Sequence, residues 1–218
     1  MKKKQFSYIL LSGGADSVAT LNMLHDLDPK NDAGLKAVYF SVGDTLRGEV
    51  EEMIVSRLAA KYINIPFMTS KLRGFLHGDV LALLMAFADN YLAGYHTSDD
   101  EVTIYMGFEA QARDEYGPNL DEAREAMKFI MQARQAYWYN ESQPKVNIES
   151  LVVGVDKGNM VARCNGDPWW SCRYPQINSN NWSGCGHCHT CKQLAEQGVS
   201  QPDILLGVGP KHITVYEG

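Results

Sequence analysis

The 218-residue chain lacks an apolar run long enough to cross a bilayer. Its longest, Val80 to Ala88, lies between Asp79 and Asp89. That is far short of the ~20 residues a spanning helix needs, and it reads as a buried helix. The chain also lacks a basic excess: 20 Lys and Arg stand against 26 Asp and Glu, for a net charge of -6. A general nucleic-acid binder would be basic, so nucleic acid is not the expected partner. After Met1-Lys-Lys-Lys4 only Tyr8 to Leu11 is apolar before Ser12, too little for a signal peptide. The expectation is a soluble cytoplasmic protein without a membrane partner. Repeats and low-complexity linkers are missing as well. Length and composition suit one domain of ordinary size, or one with a small appendage. A core of that size needs no disulfides.

What is present alternates. Phe6–Leu11, Leu35–Ser41, Asn64–Met68, Glu101–Met106 and a stretch within Gln143–Val153 read as strands. Asp16–Leu27, Leu46–Tyr62, Val80–Leu92, Leu120–Trp138 and a short segment from Asp156 to Arg163 read as helices. Asn119 and Asp121 are both plausible caps of the fourth, and Asp156 can cap the fifth. Strand–helix alternation means βαβ units: an α/β fold, a Rossmann-like parallel sheet with flanking helices. From Asn165 to Gly198 the texture turns to Gly, Pro, Asn, Cys and Trp, which reads as an irregular, metal-stapled segment. The expected division is 1–164 for a nucleotide-binding α/β domain and 165–218 for a zinc-binding C-terminal segment packed on it.

The first strand runs into Leu11-Ser12-Gly13-Gly14-Ala15-Asp16-Ser17 and then a helix. A helix N-terminus offers unpaired N–H groups and the positive end of its dipole to an anion. Gly13 and Gly14 allow close backbone approach and positive φ. Ser12 and Ser17 add hydroxyl donors. Asp16 would repel phosphate, so its role is through a bridging Mg²⁺. The common phosphate patterns G-x-x-x-x-G-K-[ST] and G-x-G-x-x-G are both absent.

Of five cysteines, Cys172, Cys185, Cys188 and Cys191 form C-x12-C-x2-C-x2-C. Each C-x2-C step turns two thiolates onto one ion, and four thiolates suit a closed tetrahedral Zn²⁺ site. The alternatives are an iron–sulfur cluster and unligated thiols. His187 and His189 are expected outside the ligand set or exposed, and Cys164 is expected to be a buried free thiol.

Together these features resemble the 7-cyano-7-deazaguanine synthases, a family of PP-loop ATP pyrophosphatases. The resemblance rests on Leu11 to Leu21, on Phe40-Ser-Val-Gly-Asp-Thr-Leu-Arg-Gly-Glu49, on Met106-Gly-Phe-Glu-Ala110 with Asp114 and Tyr116, and on Trp170-Ser-Cys-Arg173 with Cys185 to Cys191. It implies an adenine nucleotide alpha hydrolase-like fold. It implies an ATP-dependent ligase that converts 7-carboxy-7-deazaguanine and ammonia to the nitrile, through an adenylated carboxylate and an amide. ATP would be held by Leu11 to Ser17 and Ser41, with Asp16 and Ser17 catalytic and Mg²⁺ required. Structural Zn²⁺ would sit on the four cysteines, and the protein would be a homodimer. The sequence departs from the family pattern at Ser41-Val-Gly-Asp44, where Asp-Tyr-Gly-Gln is usual, and at Arg73 to Asp79 and Tyr116 to Leu120. Rival readings are another PP-loop enzyme, such as an amide-forming deazaguanine enzyme or a tRNA thiolation or amidation enzyme, and a non-catalytic zinc-stapled binding module.

Asp44, Arg47, Arg73, His77, Glu109, Arg113 and Asp114 fall near strand ends or loops, where open α/β sheets place ligands. Lys157 matches a family lysine but is equally a candidate surface residue. Trp169 and Trp170 can shield the metal or stack on the ring. Glu49, Glu51 and Glu52 read as a solvated helix face.

Overall fold

The computed structural model describes residues 4–41, 45–72, 80–93, 95–110, 119–137, 143–178 and 180–205. The chain runs β1 (Gln5–Leu10), α1 (Ala15–Leu27), β2 (Lys36–Ser41), α2 (Leu46–Lys61) and β3 (Phe67–Lys71). It continues through α3 (Val80–Phe87), β4 (Glu101–Tyr105), α4 (Leu120–Tyr137), β5 (Lys145–Glu149) and α5 (Lys157–Arg163). The last elements are β6 (Gln176–Asn178), β7 (Asn181–Ser183), α6 (His189–Glu196) and β8 (Ile204–Leu205). Strands β1 to β5 form one parallel sheet in the order β3-β2-β1-β4-β5. The α/β sheet flanked by helices is therefore as expected.

Alternation along each strand sends side chains to two cores. Ile9, Leu11, Ala37 and Tyr39 pack with α1 and α2 on one face. Tyr8, Leu10, Val38, Phe40, Val102, Ile104 and Ile148 pack with α3 and α4 on the other. The first core also takes in Trp169, Trp170, Cys172, Trp182, Leu194 and Ile204. The C-terminal segment thus shares apolar burial with the sheet's α1–α2 face.

Several details differ from the sequence reading. β3 begins three residues later than Asn64, after Pro66. The helix from Val80 holds regular α geometry only to Phe87 and then widens into a π-turn over Ala88–Leu92. Its Leu81 and Met85 remain about half exposed, so it is not buried all round. The segment after Asn165 is not simply irregular: it folds an antiparallel β6-β7-β8 sheet and helix α6. Asn119, not Asp121, caps α4 by accepting the Glu122 N–H at 2.9 Å. No helix among the described residues is long and apolar enough to cross a membrane.

Candidate active site and metal centre

β1 has β2 on one side and β4 on the other, and the chain visits β2 and β3 before returning to β4. The crevice beyond the carboxyl ends of β1 and β4 is therefore a topological switch point, where open α/β sheets bind ligands. The Leu11–Ser17 segment lies there. Gly13 takes a φ of +74°, and Gly14, the N-cap of α1, is extended at φ -70°. Positive φ is thus used at one of the two glycines. Gly14 has no side chain to cap the helix. Among the described residues the N–H groups of Gly13, Asp16 and Ser17 find no acceptor. Unpaired first-turn donors are what an anion would engage. The two hydroxyls brace the loop: Ser17 Oγ accepts the Ser12 N–H at 3.2 Å, donates to the Gly14 carbonyl at 3.0 Å and lies 3.3 Å from Ser12 Oγ, which accepts the Gly14 N–H at 3.3 Å.

A cleft of about 200 Å³ opens beside this loop. Leu11, Ser12, Asp16 and Ser17 line one part, and Arg47 and Glu51 line another. Val38, Phe40, Val80, Leu83, Met106 and Phe108 give it an apolar wall. Gly13, Gly14, Ala15 and Ser41 shape the surroundings without lining the cleft. Ser41, at the end of β2, donates its hydroxyl to Glu52, and its carbonyl accepts the Leu72 N–H at 2.8 Å. Gly107, just beyond β4, presses against the start of α1: a Cβ there would stand 2.7 Å from Asp16 Cβ and 2.9 Å from Ser17 N. No larger residue fits without moving the loop.

Three charged groups meet at the loop's edge. Lys157 Nζ contacts both Asp16 Oδ1 and Glu109 Oε1, with its side chain only 3% exposed. Burial alone would push the Lys157 ammonium down, but Asp16 and Glu109 hold it above its ordinary value. Burial and Glu109 push the Asp16 carboxyl up, against the pull of Lys157. A lysine this firmly charged makes the cluster a shared cation between two carboxylates. Lys157 is therefore a buried site residue and not a surface lysine. Gln193 of α6 donates to the other Glu109 oxygen at 3.1 Å. Glu51 also departs from expectation. It is 4% exposed and accepts from Arg47 Nε at 2.6 Å, whereas Glu49 is exposed as expected. Burial pushes the Glu51 carboxyl up and Arg47 opposes it.

The four cysteines come together. The Sγ atoms of Cys172, Cys185, Cys188 and Cys191 all lie within 4.8 Å of one another. Cys172 and Cys188 sulfurs are 4.0 Å apart. A disulfide needs about 2.05 Å. Two sulfurs on one tetrahedral ion with Zn–S bonds of about 2.3 Å would be roughly 3.8 Å apart. The Cys185 and Cys188 N–H groups point at the Cys172 and Cys185 sulfurs, each at 3.3 Å. Such donors stabilise thiolate charge. The donor set fits a metal ion such as zinc. His187 and His189 are exposed, and His187 Nδ1 is spent on the Cys185 carbonyl at 2.8 Å.

No protein-family model matches the chain, and no curated protein matches it either. Trp169 and Trp170 are 6% and 0% exposed, inside the core, so neither ring is presented for stacking on a ligand. Cys164 is buried, with its thiol pushed up to about 12 by burial first and then by Asp16 and Asp167. Asp44, Arg73, His77, Arg113, Asp114 and Tyr116 lie outside the described residues. Sequence reasoning did not single out Ser171, Gln193 or Gln201. Their contacts span long separations and carry no local pattern.

Proposed function

We propose that this chain is an ATP-dependent ligase of the PP-loop type. Its reaction converts 7-carboxy-7-deazaguanine and ammonia to 7-cyano-7-deazaguanine. The observation that carries the reading is the loop at the switch point: Gly13, Asp16 and Ser17 N–H groups with no acceptor among the described residues, two facing hydroxyls and a glycine at the N-cap, beside an apolar cleft. This favours a bound pyrophosphate group at the loop and a flat heterocycle against the apolar wall. Arg47 supplies a cation for the substrate carboxylate.

The chemistry asked of these residues is mainly charge stabilisation. A carboxylate oxygen attacks the α-phosphorus, the α–β bridging bond breaks, and pyrophosphate leaves into the N–H groups of α1 and the Ser12 and Ser17 hydroxyls. Ammonia then displaces AMP to give the amide. The amide oxygen attacks a second ATP, and loss of AMP with proton release forms the nitrile. Lys157 sits beside the leaving group and holds Asp16 in place. Asp16 and Glu109, with side chains 24% and 32% exposed, are oxygen donors of the kind that hold Mg²⁺, which would neutralise phosphate charge when bound. Zinc on the four cysteines would be structural, since all four positions are filled by thiolates. One ion is favoured over an iron–sulfur cluster, which divides the four thiolates between two or four irons and spreads the sulfurs wider than the 4.8 Å seen here. A thiolation reading needs a reactive cysteine outside the knuckle, and the buried, protonated Cys164 is poorly suited to that.

The test mixes zinc-loaded protein with ATP, Mg²⁺, ammonium and 7-carboxy-7-deazaguanine. Nitrile detected by mass spectrometry, with AMP and pyrophosphate, is the expected result. Asp16→Ala should abolish turnover while leaving zinc content unchanged. No substrate-dependent AMP from folded, metal-loaded wild type would sink the reading.

A further inference from the structure

The cysteine segment and the anion loop are joined by more than shared packing. The Trp170 N–H donates to the Gly13 carbonyl at 2.8 Å. The next residue, Ser171, accepts the Ala15 N–H on its hydroxyl at 3.2 Å. Ser171 thereby supplies to α1 the cap that Gly14 cannot. The residue after that is Cys172, one of the four metal-ligand candidates. Gln201 ties this tripeptide down: its Oε1 accepts from both the Ser171 and Cys172 N–H groups at 2.9 Å. Its stem closes over the second arm of the metal set as well. A Cβ on Gly184, next to Cys185, would lie 2.9 Å from Gln201 Cβ.

A second route runs from the other end of the knuckle. Gln193, two residues past Cys191, holds Glu109, which shares Lys157 with Asp16. The first route starts at a metal-ligand candidate and the second two residues past one, and both end within Leu11–Ser17.

We infer that Ser171 and Gln201 are positioning residues through which the metal centre sets the conformation of the anion loop. The inference rests on the readings of the cysteines as a metal site and of the loop as an anion site. With the ion bound, Cys172 is anchored, Ser171 is held at the head of α1, and the first-turn N–H groups keep a fixed direction. With the ion removed, Cys172 is released, the Ser171 cap is lost and the loop frays. Linkage requires the converse: an anion that binds the ordered loop must raise the equilibrium affinity for the metal, and the metal must raise the affinity for the anion by the same factor.

Residue-resolved amide exchange tests this with zinc content measured in parallel. Ser171→Ala, still carrying zinc, should exchange the Ala15 amide about tenfold faster than wild type, the effect of one lost hydrogen bond. Gln201→Ala should do the same, whereas Gln201→Glu, which keeps an oxygen for both N–H groups, should behave as wild type. Chelating zinc from wild type should also release the Ala15 amide. Inorganic pyrophosphate should bind zinc-loaded wild type more tightly than chelated wild type, whereas in Ser171→Ala removal of zinc should leave its affinity unchanged. Ala15 exchange that is unchanged in zinc-loaded Ser171→Ala, or unchanged on chelation of wild type, overturns the inference. If Gln201→Ala fails to fold, Ser171→Ala and chelation still decide it. Failure of pyrophosphate to bind at all would count against the anion site itself, and amide exchange would still judge the link to the metal.

Discussion

Lys157→Met is expected to destabilise the zinc-loaded protein by about 3 kcal/mol, the lower end of what removing one partner of a buried ion pair costs. Methionine keeps most of the stem volume, so the loss reports charge and not a cavity. It leaves Asp16 and Glu109 facing each other without a cation, in a site where Lys157 was 3% exposed. The two carboxylates retain some access to water, which holds the cost to the lower end. Urea denaturation near neutral pH measures it. A change within about 0.5 kcal/mol would mean that Lys157 behaves as an ordinary surface residue. The pH dependence has a definite sign. Without Lys157, burial and Glu109 push the Asp16 carboxyl up, so the native state binds more protons than the unfolded chain. Stability of the variant relative to wild type then rises as pH falls toward the acid range. Adding Glu109→Gln to the variant should recover part of the loss at neutral pH, because one of the two like charges is gone.

The second large effect is metal removal. Cys188→Ser should lose the bound ion, and chelation of wild type should mimic it. Free zinc at about a thousandfold over its dissociation constant stabilises the native state by about 4 kcal/mol. The loss should be visible in the segment that the metal holds. Trp169, Trp170 and Trp182 are 6%, 0% and 3% exposed and sit in the core that includes the cysteines. Chelation should therefore shift tryptophan emission to longer wavelength and lower the unfolding midpoint. A chelated protein with unchanged emission and midpoint would show that the four cysteines do not depend on an ion.

The sheet was legible in the sequence because buried parallel strands such as Lys36–Ser41 are short apolar runs bounded by turn residues. The Leu11–Ser17 turn into a helix and the clustering of the four cysteines were legible for a similar reason: each is a local pattern with fixed spacing. Lys157 and Glu51 were not. A charged residue reads as solvated unless its partner is known, and the partners of Lys157 lie 141 and 48 residues away in Asp16 and Glu109. Glu51 hides a simpler signal, the i,i+4 pair with Arg47, which neutralises it under the Gly13 turn. The strands and helix after Asn165 escaped because β6, β7 and β8 have three, three and two residues. Runs that short carry no periodicity, and their pairing depends on the tertiary packing around Trp182. The π-turn at Ala88–Leu92 likewise follows from one continuous apolar helix pattern that gives no hint of a register change.

In the proposed reaction the loop splits ATP between its α and β phosphates while a carboxylate oxygen takes the adenylyl group. Oxygen tracing tests that directly. The protein is given 7-carboxy-7-deazaguanine labelled with ¹⁸O at both carboxylate oxygens, together with ATP, Mg²⁺ and ammonium. The account predicts two AMP per nitrile, each carrying one ¹⁸O, with unlabelled pyrophosphate. Unlabelled AMP, or ADP and phosphate in its place, would contradict it.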